Sequence, residues 1–190
     1  MEQSSAWWDW IGVAAFVIGV VALVMAFPPL IQAIFGRPRI KVSFTSSEKR
    51  PQNRILECGI SNTPITKGVL NLFRIDRQAA EDLWAPFDII ESHEGGKVFD
   101  AVPVINTHTG VTAQRVRLAA SSIPSTFGVA VVDLEAQIVY AGLEKSTETM
   151  LKPGLYNVNV TVVNGGKKQS PVNQQMVVQR SEPYAYWVNS

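Results

Sequence analysis

Hydrophobic and polar positions divide this chain near residue 36. Before that point, Ala6 to Phe35 is almost continuously apolar, and Trp10 to Phe27 holds no charged or strongly polar side chain. A helix rises ~1.5 Å per residue, so roughly 20 residues cross a ~30 Å hydrocarbon core. Trp10 to Phe27 nearly reaches that length, and Leu30, Ile31, Ala33, Ile34 and Phe35 extend it. Valine, isoleucine, leucine and phenylalanine each favour insertion by a few tenths of a kcal/mol, whereas a central charge opposes it by ~3 kcal/mol. The pattern predicts one transmembrane α-helix, with residues 1–36 as the anchor. Pro28 and Pro29 remove two backbone donors and predict a kink or an end at that point.

After residue 36 the period changes to two. Arg39 to Thr45 alternates with Ile40, Val42 and Phe44 on one face, as a half-buried strand does. Glu48 to Asn53 is a polar turn with Pro51. Ile55 to Ile60 reads as the next strand, and Ser61-Asn62-Thr63-Pro64 as its break. Further strands are predicted at Val69 to Ile75, Phe87 to Ile90, Lys97 to Ile105, Val111 to Leu118, Thr126 to Val132 and Gln137 to Ala141. Pro103 inside the third of these suggests an edge strand or a bulge. Only Arg77 to Leu83 has helical character. Leu155 to Val162 and Gln174 to Gln179 close the series, with Asn164-Gly165-Gly166 as a hairpin signal. About eight to ten strands and almost no helix predict an all-β domain over 37–181, an antiparallel sandwich or barrel. Residues 182–190 form an aromatic tail containing Tyr184, Tyr186 and Trp187.

The run KPGLYNVNVTVV, Lys152 to Val163, sharpens that expectation. With Gln174 to Gln179 as the returning strand, it resembles the penultimate and final strands of immunoglobulin-like sandwiches, where P-G-x-Y or G-x-Y precedes alternating valines. The resemblance covers about 30 residues and implies that Tyr156 forms a tyrosine corner, its hydroxyl bonded to nearby backbone. The family's cysteine pair and core tryptophan pattern are missing, because Val158 stands where the second cysteine would be.

Charge adds an orientation. No Lys or Arg precedes the span, only Glu2 and Asp9, while Arg37, Arg39, Lys41, Lys49 and Arg50 follow it. The positive-inside rule then places the N-terminus outside and the β domain in the cytoplasm. Trp7, Trp8 and Trp10 at one end, with Arg37, Arg39 and Lys41 at the other, are the expected interface residues. An acidic, tryptophan-rich start without an A-x-A site argues against a cleaved leader. Within the span, Gly12, Ala15, Gly19, Ala22 and Ala26 recur at spacings of three and four, which puts them on one stripe. Small stripes let membrane helices approach closely, so this is the candidate helix-packing face.

All 17 basic residues follow the span, which leaves the β domain only weakly positive and offers nothing for nucleic acid. Cys58 is the sole cysteine, so no internal disulfide forms. Its place in an alternating apolar run marks it as a core residue rather than a nucleophile. No phosphate-binding loop, zinc motif or nucleophile elbow is present, and no cofactor is expected. His93, beside Glu91, Glu94 and Asp100, is the weak exception and reads as a solvated loop, as does His108. The expected function is therefore a single-pass, non-enzymatic binding module on the cytoplasmic face. Its expected contacts are the lipid bilayer and a protein partner or a second copy. An accessory subunit assembled through the small-residue stripe, or an exported envelope protein, is the alternative.

Overall fold

A computed structural model describes residues 4–50, 53–65, 76–142 and 149–188. It is mostly β, with antiparallel sheets and one N-terminal apolar helix. Two compact units are present: Met1–Arg37 with Pro64–Gln78, and Pro38–Thr63 with Ala79–Ser190.

The first unit is built on α1, Ser4–Phe35. Its segment Trp10–Phe35 is 26 residues long, has a mean hydropathy of 2.6 and is 0% buried. It is long and apolar enough to cross a membrane, since its helical length of roughly 39 Å exceeds a ~30 Å hydrocarbon core. Of the kink or end expected at Pro28 and Pro29, the end does not occur, because α1 continues to Phe35. Proline's fixed φ is itself helical, so the pair costs hydrogen bonds without reversing the chain.

The second unit holds sixteen strands among the described residues. The first half of the chain supplies β1 (Ile40–Arg50), β2 (Asn53–Asn62), β3 (Ala80–Leu83), β4 (Phe87–Glu91), β5 (Lys97–Ala101), β6 (Ile105–Asn106), β7 (Thr112–Ala113) and β8 (Val116–Leu118). The second half supplies β9 (Ser125–Asp133), β10 (Ile138–Ala141), β11 (Thr149–Leu151), β12 (Gly154–Val160), β13 (Val163–Asn164), β14 (Lys167–Lys168), β15 (Val172–Val178) and β16 (Ala185–Trp187). One sheet has the order β1-β2-β9-β10-β11, with β6 on β9 and β7 on β6. The other has the order β16-β15-β12-β4-β5, and β3-β8 and β13-β14 are separate ribbons. The ladders are antiparallel, and both sheets feed one hydrophobic cluster. Leu56, Cys58 and Ile60 enter it from β2, Phe127 and Val129 from β9, Ile89 from β4, Val158 and Val160 from β12, and Met176 from β15. Phe87 of β4 meets Phe127 of β9 with ring centroids 5.6 Å apart.

Several expected elements change. Arg77 to Leu83 is not helical: residues 76–79 are irregular and Ala80–Leu83 is β3, pairing Ala80 with Leu118 and Leu83 with Val116. Both of those residues are fully buried, and the cross-strand burial outweighs a helical propensity worth only tenths of a kcal/mol per residue. Lys97 to Ile105 is two strands, and at Val102–Val104 the chain passes from the second sheet to the first. Val111 to Leu118 likewise divides, with β7 on β6 and β8 on β3. The strand expected at Val69 to Ile75 lies outside the described residues. The hairpin at Asn164 forms β13-β14, and both Gly165 (φ 53°) and Gly166 (φ 76°) take the left-handed conformation that such tight turns need. The last strand is not Gln174 to Gln179: β16 follows it, formed by the aromatic tail and paired to β15.

Candidate functional site

Gly12, Ala15, Gly19, Ala22 and Ala26 all lie on α1 and are exposed. A Cβ built at Gly12 or at Gly19 meets nothing within 4 Å, so each leaves open space at the helix surface. Trp7 and Trp8 fall in the first turns of α1, and Trp10 is 72% exposed.

The carboxyl end of α1 is closed by residues distant in sequence. A helix leaves its last carbonyls unpaired and slightly negative. Here the Arg77 guanidinium donates to the carbonyls of Phe35 (3.2 Å) and Arg37 (2.8 Å). The Gln78 amide donates to Gly36 O at 2.6 Å, and Arg37 Nε to Ala33 O at 3.1 Å. Gln32 Nε2 donates to Asp76 O at 2.7 Å. Gly36 is required by close approach, since a Cβ there would stand 2.5 Å from the Gln32 carbonyl oxygen. Arg37 thus caps the helix to which it belongs, and Arg77, which no sequence pattern singles out, does the same from the returning segment.

Arg39 and Lys41 are exposed at the start of the second unit. Their neighbour Asn62, 1% exposed, accepts from the Arg39 amide at 3.0 Å through Oδ1 and donates to Leu118 O at 3.2 Å through Nδ2. The Thr63 amide returns to Arg39 O at 3.0 Å. Asn62 therefore ends a strand, yet as a buried bridge between three segments rather than as a solvated turn.

Tyr156 is 2% exposed, and its hydroxyl donates to Lys152 O at 2.7 Å, four residues upstream. Burial, and then the nearby Glu91 carboxylate, raise its phenol above the ordinary value. Cys58 is fully buried, and desolvation alone pushes its thiol far above the usual range, so it stays neutral and inert. His93 and His108 are exposed loop residues. Among the described residues no group of three or more His, Cys, Asp and Glu could hold a metal ion.

The second sheet carries a cleft of about 420 Å³ lined by residues of β4, β5 and β12 and the residues that flank them. Phe87, Ile89, Val158 and Val160 are buried, so the residues alternating with them face outward. Asp88 stands opposite Asp100 on β5 and opposite Asn159 on β12, which makes a row of carboxylate, carboxylate and amide. A second row holds Pro86 with Thr161, whose amide donates to Pro86 O at 3.0 Å, and Val102, the residue after Ala101, the partner of Phe87. Lys97 reaches Asp100 at 3.1 Å at the exposed rim. Asp88 and Asn159 escaped the sequence reading because only strand register brings them beside Asp100. No family model, curated protein or solved structure matches the chain.

Proposed function

We propose that the chain is a single-pass, membrane-anchored interaction module with no enzymatic role. In this reading α1 spans the bilayer with its N-terminus outside. The β unit is an immunoglobulin-like sandwich that binds a protein partner on the cytoplasmic face. The observation that carries the reading is the exposure of α1. Phe16, Ile18, Leu23 and Met25 are each more than two-thirds exposed, and none of the described side chains of Trp10–Phe35 is buried. Such a surface costs roughly 25 cal/mol per Å² in water, and a hydrocarbon environment removes that cost. Support for orientation comes from the basic flank and from Arg37 and Arg77 at the carboxyl end of α1, where a cytoplasmic interface favours cations. Support for the sandwich comes from the core shared by both sheets and from the Tyr156 bond to Lys152 O. Anchoring raises the effective concentration of the domain for partners at the same membrane.

Topology is tested with a cysteine at Lys167, which is exposed in β14. Gly165 is unsuitable because its φ of 53° strains any side chain. The buried Cys58 needs no replacement. A membrane-impermeant maleimide should label Lys167→Cys only after the membrane is opened. Labelling of intact cells would reverse the orientation and favour the exported alternative. The accessory-subunit reading draws on the open surface at Gly12 and Gly19. Ala15→Leu with Gly19→Leu should then abolish co-purification with a membrane partner or a second copy; unchanged assembly would make the stripe ordinary lipid-facing helix.

A further inference from the structure

The cleft on the second sheet is unbalanced in charge. Asp88 and Asp100 oppose each other across β4 and β5, a placement that is unfavourable for like charges on neighbouring strands. Lys97 answers Asp100 from the solvent side. The Asp88 carboxylate has no ion-pair or hydrogen-bond partner among the described residues. Beside it lie the Asn159 amide, the Thr161 hydroxyl and the apolar wall of Pro86 and Val102. The Asp88 carboxylate accepts only and has no donor among the described residues, so it suits a group that brings donors and positive charge, an ammonium or a guanidinium. The apolar wall suits the methylene stem that carries such a group. β5 is the terminal strand of its sheet, with β4 on one side only, so an extended backbone has a ladder to join.

We propose that this cleft receives a lysine or arginine side chain from an extended segment of a protein partner, with Asp88 as its principal counter-ion. The proposal rests on the binding-module reading and names the chemistry of its partner. A divalent cation is the poorer occupant, because two carboxylates and no third acidic or histidine ligand face the space.

The test uses the full chain in lipid nanodiscs, with amide chemical shifts of Asp88, Asp100 and Asn159 as the readout. n-Butylguanidinium should shift these amides saturably in the millimolar range. The extended peptide TVRVTV should bind at least tenfold more tightly by adding backbone bonds along β5. Asp88→Asn should weaken both ten- to a hundredfold, the loss expected for one charge-assisted contact. Cys58 should stay protected from alkylation in that variant, showing that the fold is intact. Absence of saturable shifts with n-butylguanidinium, or equal binding of the peptide TVQVTV, would overturn the cation site. Equal affinity for TVRVTV and n-butylguanidinium would overturn strand pairing on β5. Tighter binding of calcium at the same amides would replace the proposal with a metal site. None of these failures bears on the membrane topology, which the Lys167→Cys labelling decides separately.

Discussion

Trp187 joins the last strand to the first, and removing it should loosen both sheets. The side chain is 5% exposed, its indole N–H donates to Thr45 O at 3.0 Å, and its ring meets Phe44 edge-on at 4.9 Å. Trp187→Ala empties a large buried volume, which typically costs 3–5 kcal/mol. Trp187→Phe keeps most of the apolar contact and loses the hydrogen bond, which sets its cost at about 1–2 kcal/mol. Cys58 supplies the assay. It faces Phe44 in the β1-β2 ladder and is fully buried, so its alkylation reports opening of the first sheet. Pulsed alkylation of the full chain in detergent, over a urea series, gives the midpoint for each variant. With an m-value of about 2 kcal/mol/M, Trp187→Ala should lower that midpoint by roughly 2 M and Trp187→Phe by less than 1 M. A Trp187→Ala midpoint within ~0.3 M of the parent would mean that the tail adds nothing to the fold.

Other consequences are open to measurement. Asn62→Ala strands the Arg39 amide and the Leu118 carbonyl, and should cost about 2–4 kcal/mol in the same alkylation assay. Tyr156→Phe loses only the bond to Lys152 O, at a partly solvated carbonyl, and should cost about 1 kcal/mol. Burial raises the Cys58 thiol, so the unfolded chain ionises first as pH rises above ~8.5. Stability from this group is complete below that pH and falls by roughly 1.4 kcal/mol per unit above it. Urea unfolding followed by circular dichroism should show that slope in the parent and lack it in Cys58→Ala. Arg77→Ala removes the guanidinium donor to the Phe35 and Arg37 carbonyls, and hydrogen exchange at the Gln78 amide should accelerate while amides of β12 keep their protection.

Period-two alternation made most of the large strands legible. Ile40, Val42 and Phe44 in β1 and the valines of β12 declare their faces directly. What stayed hidden depends on partners distant in sequence. Ala80 to Leu83 carries residues compatible with a helix, and only Leu118 and Val116 make it a strand. Asn62 has the composition of a turn, and its burial is possible because Arg39 and Leu118 satisfy its amide. The switch of sheets at Val102–Val104 had one local trace, Pro103, which cannot donate to a ladder. The row of Asp100, Asp88 and Asn159 left no trace, because register across three strands is not written in any one of them.

The contact of Trp187 with Thr45 also sets a timetable. These residues are 142 positions apart, so at 5–20 residues per second the ribosome makes the ring about 7–30 s after the strand it covers. During that interval β1, Val42 and Phe44 included, has left the ribosome without its closing partner. The sheet order compounds the delay, because β9 must arrive before β2 has a second neighbour. Folding of the β unit is therefore completed by its C-terminal end, and a ribosome that stalls before residue 185 leaves an aggregation-prone, open sheet.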